Sequence, residues 1–199
     1  MLKMLLRTLI TLMITGILIS PPLASAESAV DPKKVIGASD TKLPRLEPEL
    51  RLDLESLPAV VGANKVELES IDNKPVIVTF FASWCPPCLD EFSNLNQLVE
   101  DHKGTDLRIV AINVYESWDD DDAERMLRFI EKTQPAFPAI VGSEKIREKF
   151  GGIDRIPTVY GFDRTGNLAY RFVHKRGSVT THASYDELKQ AALNLLHSE

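Results

Sequence analysis

The chain has 199 residues, a formal charge of −6, 26% charged and 44% hydrophobic side chains. It is long enough for one domain with its own core, and too evenly mixed for a disordered chain or a polytopic membrane protein. The acidic balance offers no footprint for nucleic acid.

The first 26 residues are of another kind. Lys3 and Arg7 give a positive start, Thr8 to Ser20 is an almost unbroken apolar run, Pro21 and Pro22 end it, and Ala24-Ser25-Ala26 supplies small residues for cleavage. These are the three parts of a secretory signal peptide, assigned to residues 1–26. The run is short against the ~20 apolar residues of a spanning helix. The expected product is periplasmic or secreted after cleavage near Ala26; an uncleaved membrane anchor is the alternative. Residues 27–56, rich in Pro, charge and isolated Leu, read as an N-terminal extension that wraps the domain or links it to the export segment. Residues 57–199 read as the folded domain.

Along that domain, Val60 to Ile71 shows short alternation around Gly62-Ala63-Asn64, which predicts a β-hairpin. Pro75 to Phe81 is β-branched and aromatic throughout, a buried strand. Leu89, Phe92, Leu95, Leu98 and Val99 form one stripe on a helix from about Pro86 to Asp101. Leu107 to Val114 is a second buried strand, which completes a βαβ unit. Asp119 to Asp122 precede a helix with Ala123, Met126, Leu127 and Ile130 on its apolar face; acids there suit a helix N-terminus better than a metal site. Pro138 to Val141 is a short strand, and Glu144 to Phe150 a short helix stopped by Gly151-Gly152. Thr158 to Phe162 and Leu168 to Val173 flank a turn and predict an antiparallel hairpin. A capping box, Ser184-x-x-Glu187, opens a last helix carrying Tyr185, Leu188, Ala192, Leu195 and Leu196.

Only two cysteines occur, in Trp84-Cys85-Pro86-Pro87-Cys88. A disulfide-stapled secreted domain would show several dispersed pairs, and so small a loop constrains an unfolded chain little. The pair follows a buried strand and opens a helix. Unpaired N–H groups and the positive dipole end favour a thiolate there, so the Cys85 pKa should fall from ~8.5. Pro86 suits the first helical position. Cys85 is expected to face solvent and Cys88 to be less exposed. Cys85 would attack a disulfide, and Cys88 would resolve the mixed disulfide. The rival is half of a zinc site, but His102, His174, His182 and His197 show no paired ligand spacing.

Phe80 to Cys88, with Glu91, resembles the thioredoxin superfamily, nearest the exported TlpA/ResA/DsbE-like branch with its pattern F-W-A-S-W-C-x-P-C-x-x-E. A second block, Gly152 to Thr158 followed by Phe162 to Gly166, resembles that family's cis-proline loop and hairpin. The resemblance implies an α/β thioredoxin fold: a central mixed β-sheet flanked by helices, with an N-terminal extension and a central insertion. It implies that Pro157 is the cis-proline, that the Ile156-Pro157 loop offers backbone groups to an extended substrate, that Trp84, Pro86 and Pro87 contact it, and that Glu91 assists proton transfer near Cys88. A solvated helix acid is the plain alternative for Glu91. Three residues depart from the pattern: Phe81 for Trp, Thr79 for the buried Asp of cytosolic thioredoxins, and Gly161 for an aliphatic residue.

The function expected is thiol-disulfide oxidoreduction, as a reductase of specific protein disulfides in cytochrome c maturation or metal-centre assembly. It would use no cofactor beyond the dithiol, and a membrane thiol-disulfide protein would supply electrons. Two alternatives stand: a disulfide oxidase or isomerase, which the absence of His between the cysteines disfavours, and a dithiol copper chaperone.

Overall fold

The computed structural model describes residues 43–63, 67–117 and 119–198. The signal peptide assigned to residues 1–26 and the first part of the extension, 27–42, lie outside the described residues. The described elements are α1 (Pro48–Glu55), β1 (Val76–Phe81), α2 (Pro86–Asp101), β2 (Arg108–Asn113), α3 (Asp120–Thr133), β3 (Ala139–Val141), α4 (Glu144–Lys149), β4 (Thr158–Phe162), β5 (Leu168–Val173) and α5 (Tyr185–His197).

Five strands form one mixed sheet in the order β3-β2-β1-β4-β5. β1, β2 and β3 are parallel; β4 runs against them, and β5, antiparallel to β4, runs with them. All six β1 residues are buried, which explains their continuous apolar character: both faces of the central strand are covered. Alternation along β1 divides the core in two. Phe81 meets Phe92 of α2 and Phe129 of α3, with ring centroids 4.8 and 5.3 Å away. Phe80, on the opposite face, meets Phe150 at 5.0 Å and Tyr160 at 6.2 Å, and Phe150 reaches Phe162. Most of these contacts are edge-on or tilted, which suits the ring quadrupoles, and Phe81–Phe129 is stacked; each buried ring contributes roughly 1.5–3 kcal/mol through the area it hides.

Two expectations are corrected. No strand forms in residues 60–63 or 67–71; the chain makes only a bridge, Ala59 to Ile140 at the β3 edge. Val60 is instead buried in the core, and Val60 N donates to Ala139 O, so the alternation there reflects packing on an existing edge. On α3 the buried face is Asp122, Met126, Phe129 and Ile130, and Leu127 is exposed. Phe129 wins the inward position because its ring fills the gap between Phe81 and Phe92.

The described part of the extension, 43–56, joins the core. Leu46, Leu50 and Leu54 are buried, and Leu46 N donates to Gly166 O at 2.9 Å. Gly166 has φ +84, and a Cβ there would lie 2.4 Å from Leu46 O, so the approach requires glycine. Arg51 of α1 is buried and turns its guanidinium on backbone carbonyls: Leu46 O, Lys74 O and Arg164 O at 3.1–3.3 Å, and Ile71 O. These loops lie at the end of the sheet away from the cysteines.

Candidate active site

β1 ends at Phe81, a tight turn follows, and Cys85 is the N-cap of α2 with φ −95°. Pro86 and Pro87 occupy the first helical positions, where a missing N–H costs nothing. Cys85 and Cys88 form a disulfide with Cα atoms 5.4 Å apart. Cys88 is fully buried and Cys85 is 4% exposed. The expected order holds, but Cys85 does not face solvent freely. In the oxidised pair its sulfur is bonded inward to Cys88 over the first turn of α2.

Thr158 pairs with Phe80 across β1 and β4, and with Val173 across β4 and β5. The Ile156–Pro157 bond therefore lies at the cysteine end of the sheet, and it is cis. Ile156 and Pro157 are both buried. His174 braces this loop: its N–H donates to Pro157 O at 3.2 Å, and Nδ1 lies 3.2 Å from Ile156 O.

Glu91 is not a solvated acid. It lies one turn beyond Cys88 on the buried face of α2 and is fully buried. Thr79 Oγ1 donates to Oε1, and Ala183 N approaches Oε2 at 3.5 Å. Burial pushes its pKa up to about 7, and these two hydrogen bonds restrain the rise. Thr79, where a cytosolic thioredoxin carries Asp, thus holds the acid supplied from α2. Gly161 also finds its reason. A Cβ there would stand 3.0 Å from Leu195 Cδ1 and 3.0 Å from Tyr170 Cβ, so α5 packs where an aliphatic side chain would sit.

Several residues escaped the sequence reading. Glu116 Oε1 accepts the Ser83 N–H at 2.6 Å, and its Oε2 takes Arg125 at 3.1 Å. Arg125 Nε donates to Ser83 Oγ at 2.9 Å, and the same guanidinium pairs with Asp122. This cluster holds the turn two residues before Cys85. It also assigns the Asp run: Asp119 caps α3 by accepting from Asp122 N, and Asp122 turns to Arg125. Trp84 is 49% exposed, and its indole N–H donates to Tyr115 O at 3.2 Å. Tyr115 has φ +65° and donates its hydroxyl to Ile153 O. Apart from the Asp122–Arg125 pair and the Asp119 cap, these contacts have no local spacing that would mark them. Among the described residues no group of three or more His, Cys, Asp or Glu is assembled around a metal position.

Residues 39–188 match the Redoxin family. The chain is 26% identical over 110 residues to the thiol-disulfide oxidoreductase ResA of Bacillus thuringiensis, covering 55% of this chain and 60% of that one. It is 28% identical over 117 residues to the sporulation thiol-disulfide oxidoreductase A of Bacillus subtilis, covering 57% and 70%. The chain thus spans about 60% of the length of the ResA relative. A crystal structure of a secreted Mycobacterium tuberculosis disulfide oxidoreductase, homologous to Escherichia coli DsbE, superposes with a TM-score of 0.55 at 19% identity, over 72% of this chain and 99% of that one. That likeness shows the thioredoxin fold. With the matched span, the cysteine pair and the cis-proline loop in place, the chain belongs to the Redoxin family, on its TlpA/ResA/DsbE-like branch.

Proposed function

We propose that this protein is an exported thiol-disulfide oxidoreductase that reduces specific protein disulfides through Cys85 and Cys88. The observation that carries the reading is a cysteine pair at the start of α2 with a buried carboxyl, Glu91, one turn behind it. In the reduced form the Cys85 thiolate attacks one sulfur of a client disulfide, forms a mixed disulfide and expels the other client sulfur as a thiolate. Glu91 takes the Cys88 proton, and the Cys88 thiolate attacks Cys85 Sγ. The second client sulfur leaves, and the proton returns to it. Two electrons have passed to the client, and the Cys85–Cys88 disulfide remains. A membrane thiol-disulfide protein restores the dithiol, and no other cofactor enters. Trp84, Pro86, Pro87 and the Ile156-Pro157 loop hold the client. Cytochrome c maturation or metal-centre assembly is the setting.

The relatives' names support the chemistry, and the secreted mycobacterial neighbour supports export. Among the described residues no helix is long and apolar enough to cross a membrane.

The test is the reduction potential of the pair, with two variants. A value near or below about −250 mV supports the reductase; one near about −120 to −180 mV turns the reading to an oxidase or isomerase. Cys85→Ser should abolish turnover and Cys88→Ser should trap the client as a mixed disulfide. Full reductase activity in Cys85→Ser sinks the mechanism.

A further inference from the structure

β5 ends at Val173, which pairs with Thr158 of β4. One residue further, His174 N donates to Pro157 O, so the ladder carries past both strands toward the cysteine pole. The same step sets the imidazole against the next carbonyl back, with Nδ1 3.2 Å from Ile156 O. A carbonyl oxygen only accepts, so Nδ1 carries a proton and donates.

The main chain of residue 156 is thus unevenly served. Its C=O is taken by a side chain. Its N–H has no hydrogen-bond partner among the described residues, although Ile156 is only 9% exposed. Buried backbone N–H groups are nearly always paired, so an open one at the redox pole invites a bond from another chain. The sheet does not supply it, because pairing of β4 with β1 and β5 begins at Thr158. A client segment that adds as a strand bonds such a residue twice, accepting from its N–H and donating to its C=O. Only the first of these positions is open.

We propose that His174 is an internal stopper for the client strand: its imidazole holds Ile156 O until an extended client displaces it with a main-chain N–H. His174 is thereby a positioning residue that sets client specificity in the reaction proposed above, and the inference rests on that reading. Displacement exchanges one hydrogen bond for another, so a client gains at Ile156 O only when its own backbone is already extended and its N–H aimed. A segment that cannot present a strand keeps only the bond from Ile156 N–H. The stopper therefore selects by main-chain shape, whatever the side chains.

The test uses an extended peptide with a central S-methylcysteine, and versions in which each flanking amide is replaced in turn by an ester, which removes one N–H and keeps the shape. Binding to the oxidised protein is measured by calorimetry. His174→Ala, which frees Ile156 O, should bind the all-amide peptide about fivefold more tightly than wild type, and one ester position should cancel that gain. His174→Leu, which fills the space without a donor, should behave as His174→Ala does. His174→Asn, whose amide nitrogen stands near the place of Nδ1 and donates to the same carbonyl, should restore wild-type binding and the wild-type ester pattern. Weaker or equal binding by both His174→Ala and His174→Leu overturns the stopper, since a mere brace would only loosen the loop. So does a gain that no ester cancels, a gain that persists in His174→Asn, or no peptide binding by any of these proteins. Reduction of the neutral bis(2-hydroxyethyl) disulfide is followed separately: an ester-sensitive gain without any disulfide reduction keeps the stopper and sinks the reductase, and reduction without the gain does the reverse.

Discussion

Replacing Glu91 by Gln removes a charge that the fold disfavours. The carboxyl moves from an ordinary pKa of 4.5 in the unfolded chain to about 7 when folded, chiefly because burial penalises the ion. Between these values the native state binds more protons than the unfolded state, so stability falls as pH rises through the window. At 1.36 kcal/mol per decade, ionised Glu91 costs about 3 kcal/mol once the pH exceeds the folded value. Gln has nearly the same shape and keeps partners for Thr79 Oγ1 and Ala183 N. Urea unfolding of the oxidised Glu91→Gln protein should thus match wild type near pH 4 and exceed it by up to about 3 kcal/mol at pH 8. Reductase turnover should move the other way. Loss of the proton acceptor behind Cys88 should slow it by about 10²-fold and remove a limb of the pH profile near 7. A variant equally destabilised at both pH values, or one with wild-type turnover, would refute the reasoning.

Gly161→Ala places a methyl 3.0 Å from Leu195 Cδ1 and Tyr170 Cβ; displacement of α5 should cost about 1–3 kcal/mol in denaturant unfolding. Arg51→Ala strips charged donors from buried carbonyls of Leu46, Ile71 and Lys74, and the midpoint of urea unfolding should fall by the equivalent of about 3 kcal/mol or more. Arg125→Ala leaves the buried Glu116 carboxylate without its cation. The midpoint of urea unfolding should fall, since the same guanidinium also holds Ser83 Oγ; an unchanged midpoint would contradict this account.

The elements legible in the sequence were those whose signal is local. β1 and β2 are short runs dominated by Val, Ile and Phe; α2 is one stripe behind Pro86; α5 announces itself through Ser184 and Glu187, and both halves of that capping box form. Cys85 and Cys88 were legible by their spacing and Glu91 only through the family pattern, and nothing local distinguished a buried Glu91 from a solvated one. That depended on Thr79 and Ala183, each more than ten residues away. On α3 the apolar spacing pointed inward to Leu127, and only the gap beside Phe81 and Phe92, filled by Phe129, decides otherwise. The alternation at Val60 to Ile71 suggested a strand pair, whereas its apolar residues pack onto elements formed elsewhere. Glu116, Arg125, Tyr115 and His174 act across the fold, so their partners are fixed by topology rather than by sequence separation.

Arg45 and Leu46 meet Thr165, Gly166 and Asn167 at the β4–β5 turn, the pole of the domain farthest along the strands from Cys85. Whatever precedes residue 43 is therefore joined at that pole. The redox pole is thus left clear of the segment that enters the domain, so a client of the proposed reaction would meet Cys85 without crossing it. Arg51, donating to Leu46 O and Arg164 O, fixes α1 to the β4–β5 turn and keeps that entry at the far pole.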